Sequence, residues 1–192
     1  MIIVEGPDGA GKTTLVKEIV DQFGIAIGER GTKDRDKLWQ VTRSDTYKAL
    51  HNAVDPDSEI QLWDRLFYSE FVYWDLVGRQ KPEFNKADRV LIPQLISALQ
   101  APLIWCLPPE NEVIENTLNE GHQMAGVEEN IKKIYQRYRN MLSDRVLIPQ
   151  QPSIKLMIYD YTGTKLGTTA KTYIFEEIKK YIRVRDLRRN MA

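Results

Sequence analysis

Short apolar runs alternate along the chain with longer segments in which apolar residues recur every three or four positions. The short runs are typical of buried strands, and the periodic segments are typical of helices with one apolar face. We predict strands at 2–5, 24–28, 59–63, 102–107 and 154–159. We predict helices at 11–23, 37–54, 66–77, 85–99, 110–118, 128–142 and from 169 to 185 or beyond. This alternation indicates an α/β fold with a central five-stranded parallel sheet flanked by helices.

A glycine-rich turn joins the first predicted strand to the first predicted helix. Its sequence, Gly-Pro-Asp-Gly-Ala-Gly-Lys-Thr at 6–13, fits the P-loop spacing G-x-x-x-x-G-K-[ST] and predicts a three-layer P-loop NTPase fold. The glycines let the backbone curl so that N–H groups point at phosphate oxygens, and the helix dipole adds to the attraction. We expect Lys12 to reach the β- and γ-phosphates and the Thr13 hydroxyl to bind Mg²⁺. The predicted ATP contacts are Gly6, Gly9, Ala10, Gly11, Lys12, Thr13 and Thr14.

Length and composition narrow the class of protein. A chain of 192 residues suits one domain, which we assign to 1–192. Its 27 basic and 27 acidic residues give a formal net charge of zero, so net charge provides no attraction to nucleic acid or to membranes. Cys106 is the one cysteine, and no apolar run is long enough to cross a bilayer. With no signal peptide before the first strand, we expect a cytoplasmic protein without membrane contacts.

Charged residues follow the second and third predicted strands, where an open parallel sheet binds its ligand. Asp64 ends the third strand, where a carboxylate can hold Mg²⁺, and Arg65 next to it can bind an acceptor or the phosphoryl group in transfer. The structural alternative is a helix cap beside a surface ion pair. Glu29 follows the second strand and is either a general base for a hydroxyl acceptor or a loop charge that faces water.

Three further features predict the acceptor side of the site. Asp8 lies inside the P-loop, where a carboxylate is unfavourable beside a triphosphate, so we expect it to face the acceptor, with capping of the loop as the alternative. Phe67 and Tyr68 follow Asp64 and Arg65 and are our first candidates for stacking on a base. Residues 119–126 form a polar segment with glycines at 121 and 126, and the candidate lid at 119–127 is either a lid that excludes water or an ordinary surface loop.

Two motifs make the chain resemble the thymidylate kinase family of P-loop kinases. The first is Glu-Gly-Pro-Asp-Gly-Ala-Gly-Lys-Thr-Thr at 5–14, and the second is Asp-Arg-x-x-x-Ser-x-x-x-Tyr at 64–73. The resemblance implies that Asp8 contacts the 3′-hydroxyl of a deoxyribose and that Arg65 contacts the acceptor phosphate. It also implies that Asp64 serves the magnesium ion and that Ser69 and Tyr73 support the acceptor site. Glu29 matches the family's carboxylate after the second strand, a place that holds a catalytic base in the related deoxynucleoside kinases.

The chain departs from this family in its arginines. Thymidylate kinases supply a transition-state arginine from the P-loop or from the lid, but neither segment contains one here, since no arginine occurs between Arg89 and Arg137. Arg137 and Arg139, deeper in the following helix, are the candidates to replace it. The family's Pro-Gly-Gly-Thr after the second strand is also missing, which predicts a remodelled acceptor site.

The resemblance and the residues together imply transfer of the ATP γ-phosphate to a deoxynucleoside monophosphate. In a first alternative the acceptor is a hydroxyl, on a deoxynucleoside or on a hydroxymethylated base in DNA, with Glu29 as general base. The basic run at 179–189 supports the DNA version, although we favour a small-molecule acceptor over nucleic acid. A second alternative is an NTP-binding protein or ATPase that is not a kinase. The sequence leaves open whether the protein forms a homodimer.

Overall fold

The computed structural model describes residues 1–28, 41–78, 81–120, 125–144, 147–148, 155–162 and 166–191. These ranges contain five strands and seven helices. The strands are β1 (Ile2–Glu5), β2 (Ala26–Ile27), β3 (Gln61–Asp64), β4 (Leu103–Cys106) and β5 (Leu156–Tyr159). The helices are α1 (Lys12–Phe23), α2 (Arg43–Val54), α3 (Phe67–Tyr73), α4 (Lys86–Ala98), α5 (Glu110–Asn119), α6 (Val127–Met141) and α7 (Leu166–Met191).

The five strands form one parallel sheet in the order β2-β3-β1-β4-β5. Val4 in β1 lies opposite Asp64 in β3 and Ile104 in β4, so these three strands end at the same edge of the sheet. The strand order reverses on either side of β1, and this is the place where open α/β sheets bind ligands. The predicted α/β fold with a five-stranded parallel sheet is confirmed.

Helices cover both faces of the sheet because successive strand residues point to opposite sides. Ile3, Trp63 and Trp105 pack on one face with α2, α3 and α4. Val4 and Ile104 pack on the other face with α1 and α7. Helix α6 contributes to both cores, since its apolar side chains are divided between them. The result is the expected arrangement of three layers.

Several element boundaries differ from the predicted ones for local reasons. Strand β2 is shorter than 24–28 because Gly24 ends α1 in a left-handed conformation, with φ at 65°, and donates its N–H to the carbonyl of Val20. Helix α2 begins at Arg43 rather than at 37 because Thr42 caps it. Helix α3 ends at Tyr73 rather than at 77, and α7 begins at Leu166 rather than at 169, while its end at Met191 agrees with the predicted end at 185 or beyond. Residues 37–40 lie outside the described ranges.

The second half of α7 is fastened to the end of α2. The guanidinium of Arg185 donates hydrogen bonds of 2.6–3.0 Å to four backbone carbonyl groups, those of Asn52, Ala53, Asp55 and Ser58. These carbonyls include groups at a helix end that have no partner within the helix. Lys180 in the same basic run bonds to Glu177. Both cations are therefore engaged within the chain, which weakens the case for a DNA-binding surface here.

None of the helices within the described ranges has the length and apolar character that crossing a bilayer requires.

Candidate active site

The P-loop connects β1 to α1 and surrounds a cavity of about 170 Å³. Gly6 leaves β1 with φ at 148°, and an added Cβ would lie 2.4 Å from the carbonyl oxygen of Cys106 in β4. Cys106 itself is completely buried. The cavity is lined by Asp8, Gly9, Ala10, Gly11, Lys12, Thr13, Thr14, Asp64, Arg65 and Glu120. The structure therefore brings nearly all predicted phosphate contacts together with Asp64, which ends β3, and with Arg65, which follows it.

Lys12, the first residue of α1, is held close to the loop. Its side chain is buried, and its ammonium group donates a hydrogen bond to the carbonyl oxygen of Pro7. Burial lowers the pKa of Lys12, with Arg65 acting in the same direction, while Asp8 and Asp64 oppose the change. The side chains of Thr13 and Thr14 are exposed at the start of α1. Lys12 thus places its charge at the loop, where an anionic ligand would favour it.

Asp8, Arg65 and Tyr73 form a closed hydrogen-bonded cluster at the edge of the cavity. Arg65 Nη2 lies 2.6 Å from Asp8 Oδ1 and donates to the Tyr73 hydroxyl at 2.9 Å. The Tyr73 hydroxyl donates to Asp8 Oδ2 at 2.7 Å. The guanidinium also lies over the Tyr73 ring, 4.8 Å from its centroid. Arg65 and Tyr73 are 57 and 65 positions from Asp8 along the chain, so the fold of the sheet brings the three residues together.

The electrostatics of this cluster keep both charges ionised. Burial would raise the pKa of Asp8, but Arg65 and Lys12 more than offset it, so the pKa lies well below its usual range. Burial would lower the pKa of Arg65, but Asp8 and the nearby tyrosines outweigh it and keep the pKa above its ordinary value. A buried charge that loses its partner is strongly destabilising, so the two residues depend on each other.

A strained turn after β3 aims Arg65 into the cluster. Arg65 has φ at 64°, a left-handed conformation that side chains other than glycine rarely adopt. Its N–H donates to the carbonyl of Val4 at 2.7 Å, and the N–H of Leu66 donates to Glu5 Oε1 at 2.8 Å. Glu5 also accepts from the Tyr138 hydroxyl at 3.2 Å, and burial raises its pKa. Glu5 thus holds the turn, a role that the sequence did not indicate.

Asp64 and Thr13 are the candidate magnesium ligands at this cavity. Both line the same cavity, and carboxylate and hydroxyl oxygens are the ligands that Mg²⁺ prefers. Among the described residues, no group of three or more His, Cys, Asp or Glu side chains is placed to hold a metal ion.

Three predicted acceptor residues lie in the core behind the cavity. Phe67 and Tyr68 expose none of their surface and pack edge-to-face on neighbouring rings, Tyr68 against Trp105 at 5.4 Å. The Ser69 hydroxyl donates to the carbonyl of Leu66 at 3.0 Å and is also buried. In this conformation they support α3 rather than face the cavity, and direct contact with a ligand would require α3 to shift.

Two other predictions fall on residues that are described only in part. Glu29 lies outside the described residues, as do residues 121–124 of the predicted lid at 119–127. At the start of that segment, Glu120 reaches the cavity. Arg137 is paired with Asp75 and donates to the carbonyl of Val72 at 3.0 Å. The candidate replacement arginine is therefore bound to the region around the end of α3.

Two residues at the P-loop were missed by the sequence reasoning. Asn116 in α5 and Tyr161 after β5 both bond to the carbonyl of Gly9. Tyr161 follows β5 at the same edge of the sheet at which Arg65 follows β3, so the rule about strand ends would have found it. Asn116 has no comparable signal in the sequence.

Comparisons with known proteins agree with this fold. The structure is similar to that of YorR from Bacillus subtilis, in complex with phosphorylated GDP, with a TM-score of 0.62 at 18% identity over 91% of this chain and 93% of that one. It is also similar to deoxyadenosine kinase from M. mycoides with bound dATP, with a TM-score of 0.56 at 16% identity over 93% and 98% of the two chains. At these identities the likeness shows the fold alone.

Comparisons of the sequence alone give fewer matches. No family model matches the chain. A stretch of 76 residues is 30% identical to the cytochrome c biogenesis ATP-binding export protein CcmA of Bartonella quintana. That stretch covers 38% of this chain and 36% of the export protein, so the match extends over about a third of that protein's length.

Proposed function

We propose that this protein is an ATP-dependent phosphotransferase that moves the γ-phosphate of ATP to a deoxynucleoside monophosphate. The observation that carries the proposal is the cluster of Asp8, Arg65 and Tyr73 beside the P-loop cavity. In it, a buried cation and a carboxylate that would bind the sugar lie next to the residues that would hold ATP. The fold shared with deoxyadenosine kinase and YorR supports the same class of reaction.

A phosphate acceptor accounts for the charge at this site. An acceptor phosphate is already anionic, so it requires an arginine rather than a base. The side chain of Arg65 is 11% exposed, and within the described residues its buried Nε has no hydrogen-bond partner. This unsatisfied N–H would donate to an acceptor phosphate once the guanidinium turns toward it, while Asp8 and Tyr73 would bond to the sugar.

The residues of the cavity have separate tasks in this reaction. The P-loop N–H groups and Lys12 would hold the β- and γ-phosphates, and Arg65 would stabilise the charge that spreads over the transferring group. Thr13 and Asp64 would hold Mg²⁺, which would neutralise charge on the phosphate oxygens. Catalysis would come from positioning and electrostatics, as phosphoryl transfer requires little covalent chemistry from the protein.

A hydroxyl acceptor is the second candidate, and the similarity to deoxyadenosine kinase favours it. In this version Glu29 would act as general base on a deoxynucleoside or on a hydroxymethylated base in DNA. The DNA acceptor has less support, because Arg185 and Lys180 of the basic run are engaged within the chain.

The direct test is a panel of deoxynucleosides, deoxynucleoside monophosphates and oligonucleotides, each incubated with ATP labelled at the γ-phosphate. We expect label in a deoxynucleoside diphosphate. Label in a monophosphate or in DNA would overturn the choice of acceptor. Release of label only as inorganic phosphate would instead indicate an ATPase. Lys12→Ala should abolish transfer, and normal turnover by that variant would contradict every version of the kinase proposal.

The Glu29→Gln variant separates the two acceptor classes. A phosphate acceptor needs no base, so we expect turnover close to that of the wild type. A hydroxyl acceptor would lose roughly 10²–10⁴-fold in kcat while still binding, since general-base catalysis contributes about that factor.

A further inference from the structure

Two parts of the chain that are distant in sequence press on the middle of the P-loop. A Cβ at Gly9 would lie 2.6 Å from the Thr117 hydroxyl of α5, and a Cβ at Gly11 would lie 2.9 Å from the Tyr161 ring. Both glycines have left-handed backbones, with φ at 70° and 74°. Helix α5 and the segment after β5 therefore shape the loop where its backbone is most adaptable.

Hydrogen bonds from the same two elements hold the carbonyl group of Gly9. Asn116 Nδ2 donates to the Gly9 carbonyl oxygen at 3.1 Å and also to the Tyr161 hydroxyl. The Tyr161 hydroxyl in turn lies 3.4 Å from the Gly9 oxygen and donates to it. Burial raises the pKa of Tyr161, so its hydroxyl keeps the proton that it donates at neutral pH. One backbone oxygen thus receives two side-chain donors.

Fixing this carbonyl also fixes the N–H group of the next residue. In a planar trans peptide the C=O and N–H bonds point in opposite directions. When the Gly9 oxygen is held toward Asn116, the N–H of Ala10 is directed to the other side. Ala10 is buried and lines the cavity beside Lys12. Between two left-handed glycines, this peptide would otherwise have unusual freedom to rotate.

We propose that Asn116 and Tyr161 are positioning residues that orient the Gly9–Ala10 peptide so that the Ala10 N–H faces the phosphates of the nucleotide. The inference rests on the proposed function in one respect, namely that the ligand is a nucleotide with a phosphate chain. Neither side chain acts on the reacting atoms. Their effect is to order the loop before binding, which lowers the entropic cost of binding. Phosphate affinity should therefore depend on them, and the rate of transfer from bound ATP should not.

The test compares the same substitution at two asparagines of α5. Asn116→Leu removes both hydrogen bonds that Asn116 donates while keeping the same number of side-chain heavy atoms, and Asn111→Leu alters an exposed asparagine on the same helix. Isothermal titration calorimetry with MgATP and with inorganic tripolyphosphate measures affinity, and steady-state assays give KM for ATP and kcat. For Asn116→Leu we expect about tenfold weaker binding of both ligands and a matching rise in KM, because one lost hydrogen bond has about that effect. The kcat value and the control variant should remain near wild type.

Tyr161→Phe provides a second, milder test. It keeps the ring against Gly11 and removes only the hydroxyl, so the fold should be preserved. We expect binding of ATP and tripolyphosphate to weaken about two- to threefold, since the bond to Gly9 is long. If Asn116→Leu fails to fold, as a melting curve would show, Tyr161→Phe and Asn116→Ala decide the question.

Three results would overturn the inference. The first is unchanged affinity in the Asn116 and Tyr161 variants, and the second is a loss confined to kcat. The third is a loss for ATP without one for tripolyphosphate, which would indicate contact with the base. Failure of this inference can be told apart from failure of the proposed function. A wild-type protein that binds ATP without transferring phosphate contradicts only the kinase proposal. A wild-type protein that binds neither ligand contradicts both.

Discussion

At the scale of single residues, the site depends on charges that are buried in pairs. Arg65 lies in a strained backbone conformation and is held by Asp8 and Tyr73. Strain of this kind persists only when surrounding contacts enforce it, and it concentrates at functional sites. Glu5 accepts a hydrogen bond from the N–H group of Leu66, the residue after Arg65, and this contact helps to hold the strained conformation. The geometry of Arg65, and not only its charge, is therefore what the surrounding residues maintain.

Arg65→Lys is expected to lower kcat by about 10²–10³-fold. The substitution keeps the charge but loses the fork of donors that contacts Asp8, Tyr73 and a phosphate together, and loss of a transition-state donor costs about that factor. Single-turnover transfer from labelled ATP measures the effect on the chemical step.

Arg137→Lys is the matched control. Arg137 pairs with Asp75 at the end of α3 and does not line the cavity in the described part of the chain. We expect kcat close to that of the wild type. If Arg137→Lys lost as much activity as Arg65→Lys, then Arg137 would be the missing transition-state arginine.

The sequence was sufficient for the residues that belong to local motifs. Lys12 and Thr13 follow from the P-loop spacing, and Asp64 and Arg65 follow from the rule that strand ends meet at one edge of a parallel sheet. Asn116 is 107 positions from Gly9, and only the packed structure reveals its contact with that residue. Tyr161 is 152 positions from Gly9, and the rule about strand ends would have placed it at the site without revealing that it contacts Gly9. Likewise, the position of Tyr68 shortly after Asp64 in the sequence suggests contact with a ligand, but in the structure Tyr68 is buried against Trp105.

At the scale of elements, one carboxylate joins α2 to α4. Asp88 is 1% exposed and caps the start of α4 through the N–H of Asn85 at 2.9 Å. It also accepts from Arg43 at 2.7 and 3.0 Å and from the Tyr47 hydroxyl at 2.7 Å, both in α2. These bonds, led by those from Arg43, lower the pKa of Asp88 to about 2. Asp88 thus stabilises two helices at once.

Asp88→Ala should lower the free energy of unfolding by about 2 kcal/mol at pH 7, since it removes a cap and a charged hydrogen-bond pair. The folded-state pKa lies below the ordinary value of about 3.9, so the contribution is complete above that pH and is lost as the pH falls through 2. Urea unfolding of wild type and variant from pH 7 to pH 3 should show the difference between them shrinking.

Asp45→Ala provides the comparison for this effect. Asp45 caps α2 in the same type of capping box, with Thr42, but it joins no second helix in the contacts described. We expect a loss of about 1 kcal/mol, the usual cost of a cap alone. Equal losses at the two positions would mean that the link between α2 and α4 contributes nothing to stability.

The periodicity of apolar residues predicted every strand and helix in the described ranges, and it was least accurate at their ends. Ends depend on caps, as at Thr42 and Gly24, and on what packs beyond the periodic region. Arg185 in α7 donates to four carbonyl groups near the end of α2, contacts that the sequence of α7 does not reveal.

At the scale of the whole molecule, the P-loop is packed against several elements around the central strand. It leaves β1, the central strand, and is backed by α5 and by the segment after β5. A ligand bound there would contact the ends of several elements at once. Binding should therefore stabilise the entire fold and not only the loop.

Saturating MgATP is expected to raise the melting temperature. At 100 times the dissociation constant, binding adds about 2.7 kcal/mol, which corresponds to roughly 5–11 °C for a protein of this size. Differential scanning fluorimetry over a series of ATP concentrations measures it. Lys12→Ala should abolish most of the shift, and an equal shift in that variant would indicate that ATP binds elsewhere.

The close packing of Gly6 on the Cys106 carbonyl has a practical consequence. Burial raises the pKa of the Cys106 thiol to about 12, so almost no thiolate is present and no reagent reaches it in the native fold. A thiol-specific dye should label the protein only when β4 separates from the start of the P-loop. Because this is the one cysteine in the chain, its labelling rate would report how often the contact between Gly6 and β4 opens.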